Sequence, residues 1–135
     1  MARGAPDWVS MVQVAVTVEN VPIIPDPATE YALDTYGSVS TSSATLQTLF
    51  SRTVPADRVG ILNAIELSCD NYDVAIFEIV VKGVTIVDNE TIPESFTKDF
   101  PELHLAAAEA VTVKVKSDGS TTINAWCDVS YKEVG

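Results

Sequence analysis

The chain has 135 residues, 47% of them hydrophobic, and eight basic against nineteen acidic side chains give it a net charge of −11. A single domain of this size buries about two-thirds of its unfolded surface, so the core needs no disulfide or metal staple. The acidity argues against a nucleic-acid partner, whose phosphates would be repelled, and suits docking on a basic surface.

Residues 1–8 read as a polar lead-in. In residues 9–18, VSMVQVAVTV, the even positions Val12, Val14, Val16 and Val18 are all apolar, which predicts a strand with one buried face. Arg3 precedes this stretch, but Asp7 and Gln13 interrupt it and no small-residue cleavage site follows. No run reaches the ~18 uninterrupted apolar residues of a membrane span, so the expectation is a soluble protein with no membrane partner. Residues 19–43 crowd Pro22, Pro25 and Pro27 ahead of a Ser/Thr tract. Proline fixes φ and donates no ladder hydrogen bond, so no regular strand is expected there. The segment still holds Val21, Ile23, Ile24, Tyr31 and Tyr36, more apolar material than a disordered linker carries, which points to an arm or long loop ordered against a surface. The reading divides the chain into this N-terminal strand and arm, residues 1–44, and a β-sandwich domain, residues 45–135.

From Thr45 the alternation is regular. Residues 46–54 and 58–69 read as strands, the second with Ile61, Ile65, Leu67 and Cys69 on one face and Asn63 as the exception. Residues 74–81 and 84–87 are two β-branched arms around Lys82–Gly83, a hairpin whose turn uses the freedom of Gly83 at positive φ. The first arm is apolar at nearly every position, which predicts a central strand covered on both sides. Residues 95–100 make a shorter strand, and 101–109 are ambiguous because LAAAEA has helix propensity over only a turn or two. Val111, Val113 and Val115 form one face of the next strand. Ile123, Ala125, Cys127, Val129 and Tyr131 form the inward face of the last, with Asn124, Trp126, Asp128 and Ser130 outward. About eight strands, short turns and no firm helix predict an all-β antiparallel sandwich of jelly-roll type, with Phe77, Ile79, Ile65, Leu67, Val113 and Ile123 in its core.

Little here points to chemistry. The single histidine, His104, has no motif around it, no glycine-rich phosphate loop is present, and nineteen scattered acids give no particular pair. The expectation is a non-enzyme with no cofactor and no catalytic or metal site. Cys69 and Cys127 lie in apolar strand patterns and read as buried thiols rather than a disulfide. The acidic turns at 70–73 and 88–90 offer oxygens of the kind calcium prefers, although Asp and Asn are ordinary turn formers, which is the default reading. Trp126, Tyr131 and Tyr72 are candidates for a sugar-stacking platform; of these only Trp126 faces outward, where an oligomer contact is an equal reading.

Residues 53–68 (TVPADRVGILNAIELS), 77–101 (FEIVVKGVTIVDNETIPESFTKDFP) and 103–133 (LHLAAAEAVTVKVKSDGSTTINAWCDVSYKE) together resemble the small jelly-roll structural proteins of tailed-phage virions, the capsid decoration or head-fibre class. The pattern is a VPA lead-in, a V-x-G-V-x-I hairpin, IPxSFxxDFP, and two final strands. The turn before Val111, which carries Gly in that class, reads Ala106–Ala107–Ala108–Glu109 here. The resemblance implies a non-enzymatic protein made in a host cytoplasm that sits on the virion surface, associates as a homotrimer and docks on a major capsid or other virion protein. The possible interface residues are Trp126, Tyr131, Val21, Ile23, Ile24, Tyr31 and Tyr36. The alternative is a carbohydrate-binding β-sandwich module for glycan attachment; a metal-dependent cupin-like enzyme would need more than one histidine.

Overall fold

The computed structural model describes residues 29–31 and 33–135. The expected strand at 9–18 and the candidate residues Val21, Ile23 and Ile24 lie outside them. The strands are β1 (Glu30–Tyr31), β2 (Tyr36–Thr41), β3 (Gln47–Thr53), β4 (Val59–Cys69), β5 (Ile76–Val81), β6 (Val84–Glu90), β7 (Phe96–Leu105), β8 (Ala110–Lys116) and β9 (Ile123–Val134).

The innermost turn is Lys82–Gly83, where φ is 54° and 76°. Positive φ at both central residues gives a two-residue hairpin the twist that its strands need. Outside this turn the antiparallel pairs nest: β5 with β6, β4 with β7, β3 with β8 and β2 with β9. Wrapped on itself, that ladder becomes two sheets. One runs β2-β9-β4-β7, with β1 also on β9; the other runs β3-β8-β5-β6. This is the jelly-roll strand order, with the predicted hairpin at the centre of the nesting.

The core lies between the sheets. Phe77, Ile79, Ile65, Leu67, Val113 and Ile123 are all 0% exposed, and the alternation of β8 and β9 places every predicted inward residue inside. Phe50 meets Tyr131 edge to face, with ring centroids 6.4 Å apart, an arrangement that aromatic quadrupoles favour.

Several expectations are corrected. Among the described residues β5 is not covered on both faces: it lies one strand from the sheet edge, and Ile76, Glu78 and Val80 are only half-buried. In β4 the buried residue is Leu62 rather than Ile61, because the register against β9 slips by one at Asn63. That bulge inserts one residue and reverses the phase of everything before it, which is why Asn63 broke the alternation. β7 runs through Pro101 to Leu105 instead of ending at Phe100. Pro101 is tolerated because it falls where the β4–β7 register breaks, between Leu103↔Leu62 and Asp99↔Ala64, on an edge strand of the described sheet, so its missing N–H leaves no ladder partner unmet. The short helix option gives way to a turn at 106–109, with Ala108 at φ 71°, the left-handed geometry for which glycine is the usual residue.

The sandwich also begins before residue 45. β2 is a regular six-residue strand paired with β9 from Tyr36↔Asp128 to Thr41↔Ile123, and β1 pairs Glu30 with Val134. The prolines of residues 19–43 stop at Pro27, so the objection to a strand does not reach residues 36–41. Gly37 marks the corner where the two sheets meet: a Cβ there would overlap the Leu49 carbonyl of β3.

Candidate functional site

One end of the sandwich gathers a buried carboxylate and its partners. Alternation along β9 turns Glu133 inward, where it is 0% exposed. Arg52 of β3 donates from Nε to Oε2 at 2.6 Å and from Nη2 to Oε1 at 2.7 Å. Arg58, in the connection to β4, donates from Nη1 to Oε1 at 3.1 Å, and the Tyr131 hydroxyl donates to Oε2 at 2.8 Å. The Arg52 hydrogen bonds hold the Glu133 carboxyl down at about 2 despite its burial, with Tyr131 and Arg58 helping. Burial and the neighbouring Glu133 push the Tyr131 phenol up. Arg58 lies 3.4 Å from the centroid of the Tyr31 ring, a cation–π contact. The cluster thus ties β1, β3, the start of β4 and the C-terminal strand together, and it has the form of a structural lock, in which each Glu133 oxygen accepts two hydrogen bonds while Arg58 Nε is buried without a partner among the described residues.

The sequence-predicted surface residues are dispersed. Tyr31 belongs to the lock and is half-buried. Tyr131 is 8% exposed, with its hydroxyl spent on Glu133, so it leaves the set of interface and sugar-platform candidates: its odd position in β9 turns it inward. Tyr36 is 55% exposed and stands opposite Asp128 on the outer face of the first sheet. Trp126 is half-buried on that same face, between Ser38 of β2 and Ser68 of β4. Asp128 in turn stands opposite Glu66. Tyr36 and Trp126 therefore share one face two residues apart in register, while Tyr72 lies at the far end of the sandwich in the turn before β5.

That far end holds the predicted acidic turn at 70–73 and a second at Asp118; the other predicted turn, residues 88–90, is instead the end of strand β6, where a register shift leaves Asn89 at φ 49°. Asp70 accepts from the Asn124 backbone at 2.9 Å and from its side chain at 2.7 Å, which lowers its carboxyl and staples the turn to β9. Asp118 accepts from the backbone N–H groups of Thr121 and Ser120 at 2.7 and 2.9 Å, so its carboxyl is also held low. These are turn formers at work. Among the described residues, no group of three or more His, Cys, Asp or Glu is placed to hold a metal. Tyr72 and Asp73 line a cleft with Thr91, Ile92 and Pro93.

His104 is exposed on β7 opposite Ile61. Cys69 and Cys127 are free, buried thiols; burial pushes both up, Cys127 to about 11, which keeps them protonated and unreactive. No helix among the described residues is long and apolar enough to cross a membrane. Sequence reading missed the Glu133 lock, although the odd-numbered inward series of β9 runs straight to it. It also missed the pairing of Tyr72 with residues 91–93, for which no local signal exists.

No family model matches the chain, and no curated protein matches it. A chain in a solved structure of infectious bursal disease virus, Gt strain, is similar over 81% of this chain, with 14% identity and a TM-score of 0.40. The match covers 33% of that chain, so the present sequence spans about a third of its length.

Proposed function

We propose that this chain is a non-enzymatic structural protein of a virion: a capsid decoration protein of a tailed phage that docks as a homotrimer on the major capsid protein and stabilises the head. The observation that carries this reading is where the resembling segments fall. Residues 53–68 cover the lead-in and most of β4, residues 77–101 cover the β5–β6 hairpin and half of β7, and residues 103–133 cover β8 and nearly all of β9. The likeness therefore follows six strands of the jelly roll in order. Ala108 supports it at one position: the turn that carries Gly in that class adopts a positive φ here without one. Fold alone does not assign a role; the net charge of −11 adds a preference for a basic docking surface.

The test mixes the purified chain with phage heads assembled in its absence. Saturable co-sedimentation at a stoichiometry divisible by three, with heads that then withstand higher temperature, is the expected result. Light scattering should return the trimer mass before docking. Absence of co-sedimentation at micromolar concentration, or a monomer that docks singly, refutes the reading in whole or in its trimeric part.

A further inference from the structure

The end of the sandwich opposite Glu133 holds a cleft to which the virion reading gives no role. The turn before β5 and the link after β6 stand side by side there because their strands are hairpin partners. Between them Tyr72, Asp73, Thr91, Ile92 and Pro93 line an open space of about 370 Å³, within the ~300–1,000 Å³ range of small-molecule sites. Ile92 is buried and forms an apolar floor. The Tyr72 hydroxyl lies 3.2 Å from the Ser95 hydroxyl, which fixes the ring from its far tip. Asp73 is exposed; its backbone N–H donates to the Asn71 side chain at 3.2 Å, which sets the local turn.

We propose that this cleft binds one pyranose ring of a glycan. The Tyr72 ring and the Pro93 ring receive the apolar C–H face of the sugar, the Asp73 carboxylate accepts hydrogen bonds from two adjacent hydroxyls, and the Thr91 hydroxyl meets a third polar position. The chemistry of the lining selects this class over others. An anion meets Asp73 and a protein of net charge −11. A purely apolar ligand gains little from an open site with a carboxylate on its wall. A metal lacks the ligand group, since no three suitable side chains converge among the described residues. A neutral sugar has both an apolar face and hydroxyl donors, and hydrogen bonds from hydroxyls to an ionised carboxylate are the strong kind. One fixed ring in an open cleft gives weak binding for a single sugar, which repetition on an oligomer multiplies.

This site stands independently of the virion reading, and so does its test. The full chain is titrated with four probes, the methyl α-pyranosides of glucose, galactose and mannose and N-acetylglucosamine, and followed by saturation-transfer and amide-shift NMR. At least one should saturate, with a dissociation constant on the order of 1 mM. Tyr72→Ala should weaken it about tenfold and Asp73→Asn several-fold, while Tyr72→Phe, which keeps the ring, stays within about twofold. Trp126→Ala, on the outer face of the first sheet, should leave it unchanged. The proposal is overturned if no probe saturates below about 20 mM, if Tyr72→Phe loses as much as Tyr72→Ala, or if Trp126→Ala is the variant that abolishes binding. Against heads that the wild-type chain binds, Tyr72→Ala should co-sediment at the wild-type level while its sugar affinity falls about tenfold.

Discussion

Replacing Glu133 by Gln keeps the shape of the side chain and removes its charge. The carboxylate is 0% exposed and accepts from Arg52 twice, Arg58 once and Tyr131 once. An amide has one acceptor oxygen where the carboxylate has two, so an N–H group is turned against donors of Arg52 or Tyr131. The Glu133 carboxyl sits at about 2 instead of 4.5, chiefly through Arg52. At 1.36 kcal/mol per pH unit, that separation of about 2.5 corresponds to roughly 3 kcal/mol of folding stability. Breaking a fully buried pair costs about 3–5 kcal/mol. Arg52 and Arg58 are 32% and 23% exposed, so water recovers part of the loss, and the expected cost at pH 7 is about 2–3 kcal/mol. Because the folded-state value lies below the unfolded one, the contribution is complete above about pH 4.5–5 and is lost as the pH falls towards 2. Urea unfolding of both proteins from pH 7 down to about pH 2.5 should therefore show a gap that closes in acid. A gap of the same size at both ends, or one under about 0.5 kcal/mol at pH 7, refutes an electrostatic lock.

Three further expectations follow from the packing. Phe77→Ala empties a 0% exposed position and should cost about 3–5 kcal/mol in denaturant unfolding, with under about 1 kcal/mol showing that the ring is not in the core. Ala108→Gly relieves a φ of 71° and, after the larger unfolded-state entropy of glycine, should stabilise by up to about 1 kcal/mol; a loss of stability would mean that the turn is not strained. A chain beginning at residue 45 lacks β2 and should melt early or aggregate, because the β9 edge that β2 covers is then open, whereas one beginning at Thr29 keeps that edge covered and should melt higher. Equal melting of the two would show that β2 contributes nothing to the fold.

What was legible in the sequence was alternation wherever it ran unbroken. Val111, Val113 and Val115, and the series from Ile123 to Tyr131, could be assigned to a face without any tertiary knowledge, because side chains alternate at every residue of a strand. The hairpin was legible because one glycine and two β-branched arms agree. Asn63 was not, since a bulge is one extra residue that looks like noise in a pattern of period two. β2 was hidden for a different reason. Its outward residues are Tyr36, Ser38 and Ser40, an aromatic and two serines, and its inward ones include Gly37, kept small by the Leu49 carbonyl; no hydrophobic alternation survives. The candidate surface residues fared unevenly because aromatic identity says nothing about direction: Tyr36 faces solvent, Tyr131 the core, and Tyr31 an arginine.

The nesting of strands assigns the two ends of the sandwich different work. Register places Val134 beside Val59, and Thr53 beside Ala110, at one end. Gly135 donates from its backbone to Thr29 there, so the described chain starts and finishes at that end, under the Glu133 lock. Register places Ile76 beside Lys116, and Cys69 beside Ala125, at the other end, where the Asp70 and Asp118 turns and the Tyr72 cleft lie. Thr29, where the described residues begin, therefore lies at the locked end. If the residues before Thr29 anchor the protein to a larger surface, as the apolar residues Val21, Ile23 and Ile24 suggest from sequence, the load enters the described strands at that end. The lock then matters mechanically as well as thermodynamically, because a pull on the N-terminal segment meets Tyr31 on Arg58, and Arg58 on Glu133, before it reaches the core. Tyr31→Ala removes the first of these contacts without touching the carboxylate. Docking through the N-terminal segment should then persist while proteolysis between residues 28 and 36 speeds up; unchanged proteolysis would show that the Tyr31 contact does not hold the segment.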